Sequence, residues 1–325
     1  MPVKNSVKIS DIVFPKEFSL TKQGCTQSLA CKFKQCPRKY LLAINRWHSK
    51  SGQEKFAIGN IVHSVLSNIY KDQLFYNIDF NIYVPCGIEA EIKKNSTKYN
   101  FIERKQLEYF KTVAQCVLSE YLKNYTNDFK IAYFTKVEEE FSVKIEGILW
   151  RGKRDGEHIV KKDRSLWVRE IKNRSRISED NILNGLQFDF QSNLYCVTRD
   201  NEKERTSGFI YDLIRTPQSK PKKEETIQSF FQRLSEDIKS RPEYYFMRFE
   251  VPLTKKDKES FLIELQILGL DLQEFIQTGK PSERRNSFSC IDGTFPCEYL
   301  KACTSENLNS YYQSKKIFEE LDCIY

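Results

Sequence analysis

The chain has 325 residues, 40% of them hydrophobic and 30% charged, with 52 Lys+Arg against 44 Asp+Glu and a net charge of +8. This length and apolar content support a sizeable buried core, and the absence of any run of about 18 apolar residues excludes a conventional membrane helix. The opening MPVKNSVKISDIVF lacks the charged-then-apolar layout of a secretory signal, so the expectation is a soluble, intracellular, cytoplasmic protein.

The basic excess suits a polyanionic partner without requiring one. Ten cysteines in a reducing compartment read as buried hydrophobes or metal ligands before disulfides, and their spacing has to decide. No internal repeat or low-complexity tract is present, and a single domain over 1–325 is the simplest layout.

In chain order, residues 29–47 read as helical with an interruption at Cys36-Pro37. A second helix follows over about 55–71, with Val62, Val65, Leu66 and Ile69 as its apolar stripe. Residues 100–124 form another amphipathic helix, after which the period changes: Phe141, Val143 and Ile145 alternate with Ser142, Lys144 and Glu146. Two further strands are predicted at 153–160 and 165–172, separated by the turn-like Lys161-Lys162-Asp163-Arg164. Residues 178–197 read as one helix, 207–214 as a strand, and 225–240 and 255–278 as two more helices. The segment from Cys290 through Cys297 to Cys303 carries too many turn residues for one continuous helix. The layout is thus an N-terminal helical part (1–130), a sheet core (131–215) and C-terminal helices with a cysteine cluster (216–325).

If the turn is centred between Lys162 and Asp163, the strands pair residues whose numbers sum to 325, and Asp155 faces Glu170. Two-residue and four-residue loops with that centre give the same register. Opposed side chains in an antiparallel pair have Cβ atoms roughly 4.5–5.5 Å apart, and two carboxylates that close repel unless a cation lies between them. Lys172, two residues on, projects beside Glu170, while Ile171 points the other way. Hard oxygen ligands of this kind suit Mg²⁺ or Mn²⁺, which polarise a phosphodiester, and Lys172 is placed to orient a water or offset developing charge. An ordinary surface Asp, Glu and Lys on a hairpin is the bland alternative.

Downstream, Gln187, Gln191 and Tyr195 recur every four residues, along one face of a continuous helix. His63 lies at the border of its helix's apolar stripe, just after Gly59-Asn60, where backbone or ligand can approach. Border histidines are commonly structural.

These pieces in this order resemble the RecB-like branch of the PD-(D/E)XK nuclease superfamily, which includes AddB-type exonucleases, iron–sulfur nucleases of CRISPR adaptation and stand-alone phage enzymes. The motifs are Cys-Pro-Arg-Lys-Tyr at Cys36 to Tyr40, Gly-x-x-x-His-x-x-Leu at Gly59, His63 and Leu66, Gly-x-x-Asp at Gly152 to Asp155, Glu-x-Lys at Glu170 to Lys172, and Gln-x-x-x-Tyr at Gln191 to Tyr195. The resemblance implies an α/β fold: a central mixed sheet flanked by helices, with an iron–sulfur-clamped helical region. It implies that His63, Asp155, Glu170 and the Ile171 carbonyl ligate the metal, that Lys172 is the catalytic lysine, and that Gln191 and Tyr195 complete the site.

Cys290, Cys297 and Cys303 supply three ligands for zinc or an iron–sulfur cluster. The resemblance favours a 4Fe–4S cluster with Cys36 as fourth ligand, Cys25 and Cys31 remaining alternatives; the tight Cys pairs usual for zinc are lacking. Cys86, Cys116, Cys196 and Cys323 read as packing thiols. Basic residues near the site, among them Arg154, Arg174 and Arg176, suit sequence-independent phosphate contacts, whereas Lys220 to Lys223 suit a solvated loop. Tyr244, Tyr245, Phe246 and Phe249 are mostly expected in the core, with one or two available to stack on unpaired bases.

The resulting expectation is a metal-dependent DNA exonuclease acting on single strands or ends, in recombination, repair, phage DNA processing or CRISPR adaptation. The alternative is a non-catalytic DNA-end-binding adaptor. No Gly-x₄-Gly-Lys-[Ser/Thr] loop is present, so a helicase motor, if there is one, belongs to a partner chain, as does any recombination or CRISPR complex.

Overall fold

The computed structural model describes residues 7–49, 57–72, 79–100, 102–278, 281–291, 296–314, 316–318 and 321. Cys323 and the Gly279-Lys280 pair lie outside them. Eight strands occur among the described residues: β1 (Cys25–Thr26), β2 (Trp47–Ser49), β3 (Ala132–Ile145), β4 (Ile148–Val160), β5 (Leu166–Arg174), β6 (Thr206–Arg215), β7 (Phe246–Pro252) and β8 (Tyr311–Gln313). The chain forms two compact units, one from residues 1–52, 140–153 and 255–325, the other from 53–139 and 154–254; two of the four boundaries fall within β3 and near the middle of β4.

In the first unit, helices Gln27–Gln35 and Pro37–Ile44 meet at Cys36. A residue before proline is driven to extended backbone, as Cys36 is at φ −162°, and proline is well suited to open the next helix. The rings of Phe14, Phe33 and Tyr40 gather round Phe275 of helix Lys255–Gln277, with centroids 5.2–6.2 Å from it. β1 runs parallel to β4 at Cys25 and Trp150, and β2 pairs antiparallel with β8.

The second unit holds the mixed sheet. β5 is antiparallel to β4 and parallel to β6, and β7 is antiparallel to β6. Helices Ala57–Asp72, Arg104–Asn124 and Ile227–Ser240 share one hydrophobic core with Ile171, Ile214 and Phe246. Helix Phe190–Asn201 packs on β5 and β6, and the Cys196 thiol donates to the Gly208 carbonyl at 3.5 Å. This is the α/β architecture expected, a mixed sheet flanked by helices.

Three differences stand out. The helix expected over 178–197 is broken: Glu179–Gly185, a 3-10 turn at Leu186–Phe188, then a new helix from Phe190. Asp189 causes the break by accepting from the Ser192 amide at 2.8 Å, which starts the second helix with its own cap. Gln187 therefore does not continue the row of Gln191 and Tyr195. Helix Phe80–Lys94, with Pro85 inside it, and strand β7 were not foreseen. Cys116 and Cys196 are buried as expected, but Cys86 is exposed.

On the core side of β5 and β6, two arginines and two aspartates form a buried ion network. Arg169 pairs with Asp212 and, at 3.2 Å, with Asp128, while Arg248 reaches both acids at 2.6 Å. Tyr70 donates to Asp128 and Tyr121 to Asp212, each at 2.8 Å. The charges balance, which is what makes their burial tolerable.

Candidate active site

The β4–β5 hairpin has the expected register: Gly156 pairs with Arg169, Glu157 with Val168, His158 with Trp167 and Ile159 with Leu166, each summing to 325. The Val160 amide donates to the Ser165 carbonyl at 2.9 Å, which extends the register to the pair 160–165, and residues 161–164, with Arg164 at φ +62°, close the turn. Regular pairing stops at Gly156, one residue short of Asp155. There β4 parts from β5, and the Asp155 carboxylate accepts from the Ile171 amide at 2.8 Å.

The opening admits His63. Its helix lies against β5, and a Cβ added at Gly59, one turn earlier, would sit 3.5 Å from that of Asn173. His63 Nε2 is 3.1 Å from Asp155 Oδ2 and its Nδ1 is 3.1 Å from Glu138 Oε1. Ligand atoms of His63, Glu138 and Asp155 all lie within 4.8 Å of one another. Burial opposes charge on this imidazole, but Asp155 and Glu138 outweigh it and hold its pKa well above the ordinary value.

Sequence reasoning missed Glu138. It stands at φ +54° in the middle of β3, a strained conformation for a non-glycine residue, and Ser67 Oγ donates to it at 3.0 Å. A signal was present: Glu138-Glu139-Glu140 is a poor strand former inside a strand.

Glu170 is not one of that convergent trio, but it is near enough for the Asp155 charge to act on it, and it is only 1% exposed. One of its oxygens is ion-paired with Lys172, whereas Oε2 is buried without a hydrogen-bond partner among the described residues. Burial, then the nearby Asp155 charge, push its carboxyl up to about 8, with Lys172 opposing. Lys172 donates to Gln191 Oε1 at 2.8 Å, and Gln191 Nε2 to the Tyr195 hydroxyl at 2.9 Å. Burial works against the Lys172 ammonium, but Glu170 and Asp155 keep it charged. The donor set suits a divalent cation: an imidazole nitrogen, convergent carboxylates and an orphaned buried carboxylate oxygen.

The model of the PD-(D/E)XK nuclease superfamily matches residues 26–304, spanning both the hairpin and the cysteine segment. The chain belongs to the PD-(D/E)XK nuclease superfamily. No curated protein matches it. The assignment reaches the superfamily of nucleases and not its iron–sulfur branch.

The basic residues separate. Arg174 and Arg176 are exposed at the end of β5. Arg154, expected to contact DNA, is 1% exposed; it pairs with Glu202 at 3.1 Å and Glu157 at 3.3 Å and donates to Thr198 at 3.1 Å. Its guanidinium ties β4 to helix Phe190–Asn201 and is out of reach of a phosphate. Arg169 is likewise buried in the ion network, and Lys220 to Lys223 lie in an exposed loop.

In the other unit, Cys36, Cys290, Cys297 and Cys303 line one cavity of about 270 Å³; Cys25 and Cys31 do not. The Asn286 amide donates to Cys36 Sγ at 3.4 Å. Burial raises the Cys297 and Cys303 thiols, and Arg38 opposes it at Cys303. No helix among the described residues is long and apolar enough to cross a membrane.

Proposed function

We propose that this PD-(D/E)XK protein is a Mg²⁺- or Mn²⁺-dependent deoxyribonuclease, acting as an exonuclease on single strands or DNA ends. The observation that carries the reading is the convergence of His63 and Asp155 beside a buried Glu170 with one unpartnered oxygen. His63, Asp155, Glu170 and the Ile171 carbonyl are the proposed ligands. A divalent ion supplies the positive charge that phosphodiester hydrolysis needs at neutral pH. The protein's own part is to hold the ammonium of Lys172 against Glu170, with Gln191 and Tyr195 fixing its direction, so that it faces the scissile phosphate and offsets charge developing there. Glu138 keeps His63 in orientation through Nδ1. Arg174 and Arg176 are proposed phosphate contacts, in keeping with a substrate bound without sequence preference.

The four-cysteine cavity is proposed to hold a 4Fe–4S cluster, clamping Cys36 to the C-terminal segment. Zinc suits it less, because the tight Cys pairs usual for structural zinc are lacking in this segment. A place in recombination, phage DNA processing or CRISPR adaptation, beside a helicase or integration partner, fits such an enzyme.

The test is cleavage of end-labelled single-stranded DNA with Mg²⁺ or Mn²⁺, beside Asp155→Ala and Lys172→Ala. The expected outcome is cleavage by the wild type and a loss of at least about 100-fold in each variant. Equal inactivity of all three, with DNA still bound, favours an end-binding adaptor. An anaerobic preparation is expected to be brown and to contain iron and sulfide; a colourless one holding zinc overturns the cluster.

A further inference from the structure

β5 and β6 pair so that Glu170 lies beside Tyr211 and Arg174 beside Arg215. Paired residues share a sheet face and alternate residues return to it, so Glu170, Lys172, Arg174 and Arg215 occupy the same face in a row. At ~3.3 Å per residue, Arg174 and Arg215 stand about 13 Å beyond Glu170. There both strands end and a cavity of about 400 Å³ opens, lined by Ser175, Arg176, Arg215, Thr216, Arg241 and Tyr244 among others, with no carboxylate residue in its lining.

The arginines are held in place. Arg215 donates from Nε to the Tyr244 carbonyl at 2.9 Å, and its guanidinium lies 4.0 Å from the centroid of the Tyr244 ring. The Arg241 guanidinium lies 4.5 Å from the same ring. Two acids outside the lining attend them: Glu179 is 3.5 Å from Arg215, and Asp237 accepts from Arg241 at 2.8 and 2.9 Å. Guanidinium groups fixed beforehand bind a phosphate without the ordering cost that flexible cations bear. Arg176, exposed at the rim, adds a third positive charge.

We propose that this cavity is a phosphate-binding subsite for an unpaired DNA strand whose scissile linkage lies at the Asp155–Glu170 site; the assignment rests on the nuclease reading above. The cavity is concave, and an unpaired backbone can bend a phosphate into it, whereas a duplex presents its phosphates on a convex cylinder. A separation of about 13 Å corresponds to about four nucleotides of stacked strand at ~3.4 Å each, and to fewer when the strand is extended. The subsite therefore grips the strand a few linkages from the cut and is beyond the reach of the shortest substrates.

The test is fluorescence anisotropy of the full-length protein in EDTA, with labelled oligothymidylates of ~20 and ~3 nucleotides, over a range of salt. In an Arg176→Ala/Arg241→Ala double variant, affinity for the long strand is expected to fall roughly tenfold. The log–log salt slope is expected to fall by about 1.4, or 0.7 for each lost phosphate contact. Binding of the short oligomer is expected to stay at the wild-type value. Arg215→Lys, which keeps the charge but loses the planar fork, is expected to weaken only the long strand. Because Arg241 also bonds Asp237, Arg176→Ala alone provides a variant whose fold is not at stake. Wild-type affinity and slope in all these variants overturn the subsite, and leave the nuclease reading intact if the wild type cleaves DNA and Asp155→Ala does not. A wild type that neither binds nor cleaves the long strand overturns both.

Discussion

Two carboxylates with different surroundings set the chemistry of the proposed metal site. Glu138 accepts from His63, whose other nitrogen faces Asp155, so one imidazole is held from both sides. Removing such an orienting partner typically costs about 10–100-fold in metal affinity, and Glu138→Ala is expected to weaken Mn²⁺ binding by that amount, measured by calorimetry or by the spin resonance of free Mn²⁺. Unchanged affinity would show that Glu138 neither ligates nor orients. Glu170 is the other case. Its carboxyl is pushed up to about 8 by burial and by Asp155, with Lys172 opposing, and a divalent ion favours its ionised form. Metal binding should therefore release protons, from Glu170 and from His63, whose pKa is also raised, with affinity climbing as pH rises. Calorimetry in buffers of different ionisation enthalpy reads this directly, and Glu170→Gln should reduce the proton release to the share that His63 contributes. His63 lay at the border of an apolar stripe in the sequence, but nothing local disclosed that Glu138 would meet it, because the two are brought together only by packing of the helix against the sheet.

Elements deliver these residues with different fidelity. The register of β4 and β5 was legible from Gly156 to Ile159, because a turn of known centre fixes those pairs and a slip of one residue would turn the buried faces outward; the ladder ends before the Asp155–Glu170 pair that the same rule predicts. Helix Phe190–Asn201 was only partly legible. Its side chain Gln191 bonds Lys172 and Tyr195, but the break before it depends on the cap at Asp189, whose carboxylate accepts from both the amide and the hydroxyl of Ser192. Asp189→Ala should cost about 1 kcal/mol in urea denaturation and lower kcat through a less firmly held Lys172, with Asp189→Asn restoring most of both. A kcat unaffected by loss of the cap would separate the helix start from the site. Arg154 is a related lesson: strand alternation gave its position, but charge alone suggested solvent, and Glu157, Glu202 and Thr198 supplied a buried partner set instead.

At the scale of the whole molecule, the Asp128, Arg169, Asp212 and Arg248 network lies behind the strand that carries Glu170 and Lys172. Truncating one member strands a buried charge, so Asp212→Ala is expected to destabilise the protein by about 3–5 kcal/mol, measured by chemical denaturation. Replacing Arg169 and Asp212 together with apolar residues of similar size should cost much less, and equal costs for single and double variants would contradict a charge-based account. Hydrophobic periodicity, turn length and motif order by themselves determined the mixed α/β class, the pairing of the β4–β5 hairpin up to Gly156 and the set of residues worth watching. Those signals are local: repeats of two or 3.6 residues and short loops act over a few neighbours along the chain. Only the tertiary structure decided that Glu138 joins His63, that Arg154 and Arg169 are interior, that Cys36 shares a cavity with the C-terminal trio, and that Arg215 and Arg241 meet over Tyr244. Such partnerships join distant segments, and they are set by how faces pack rather than by any pattern within one segment.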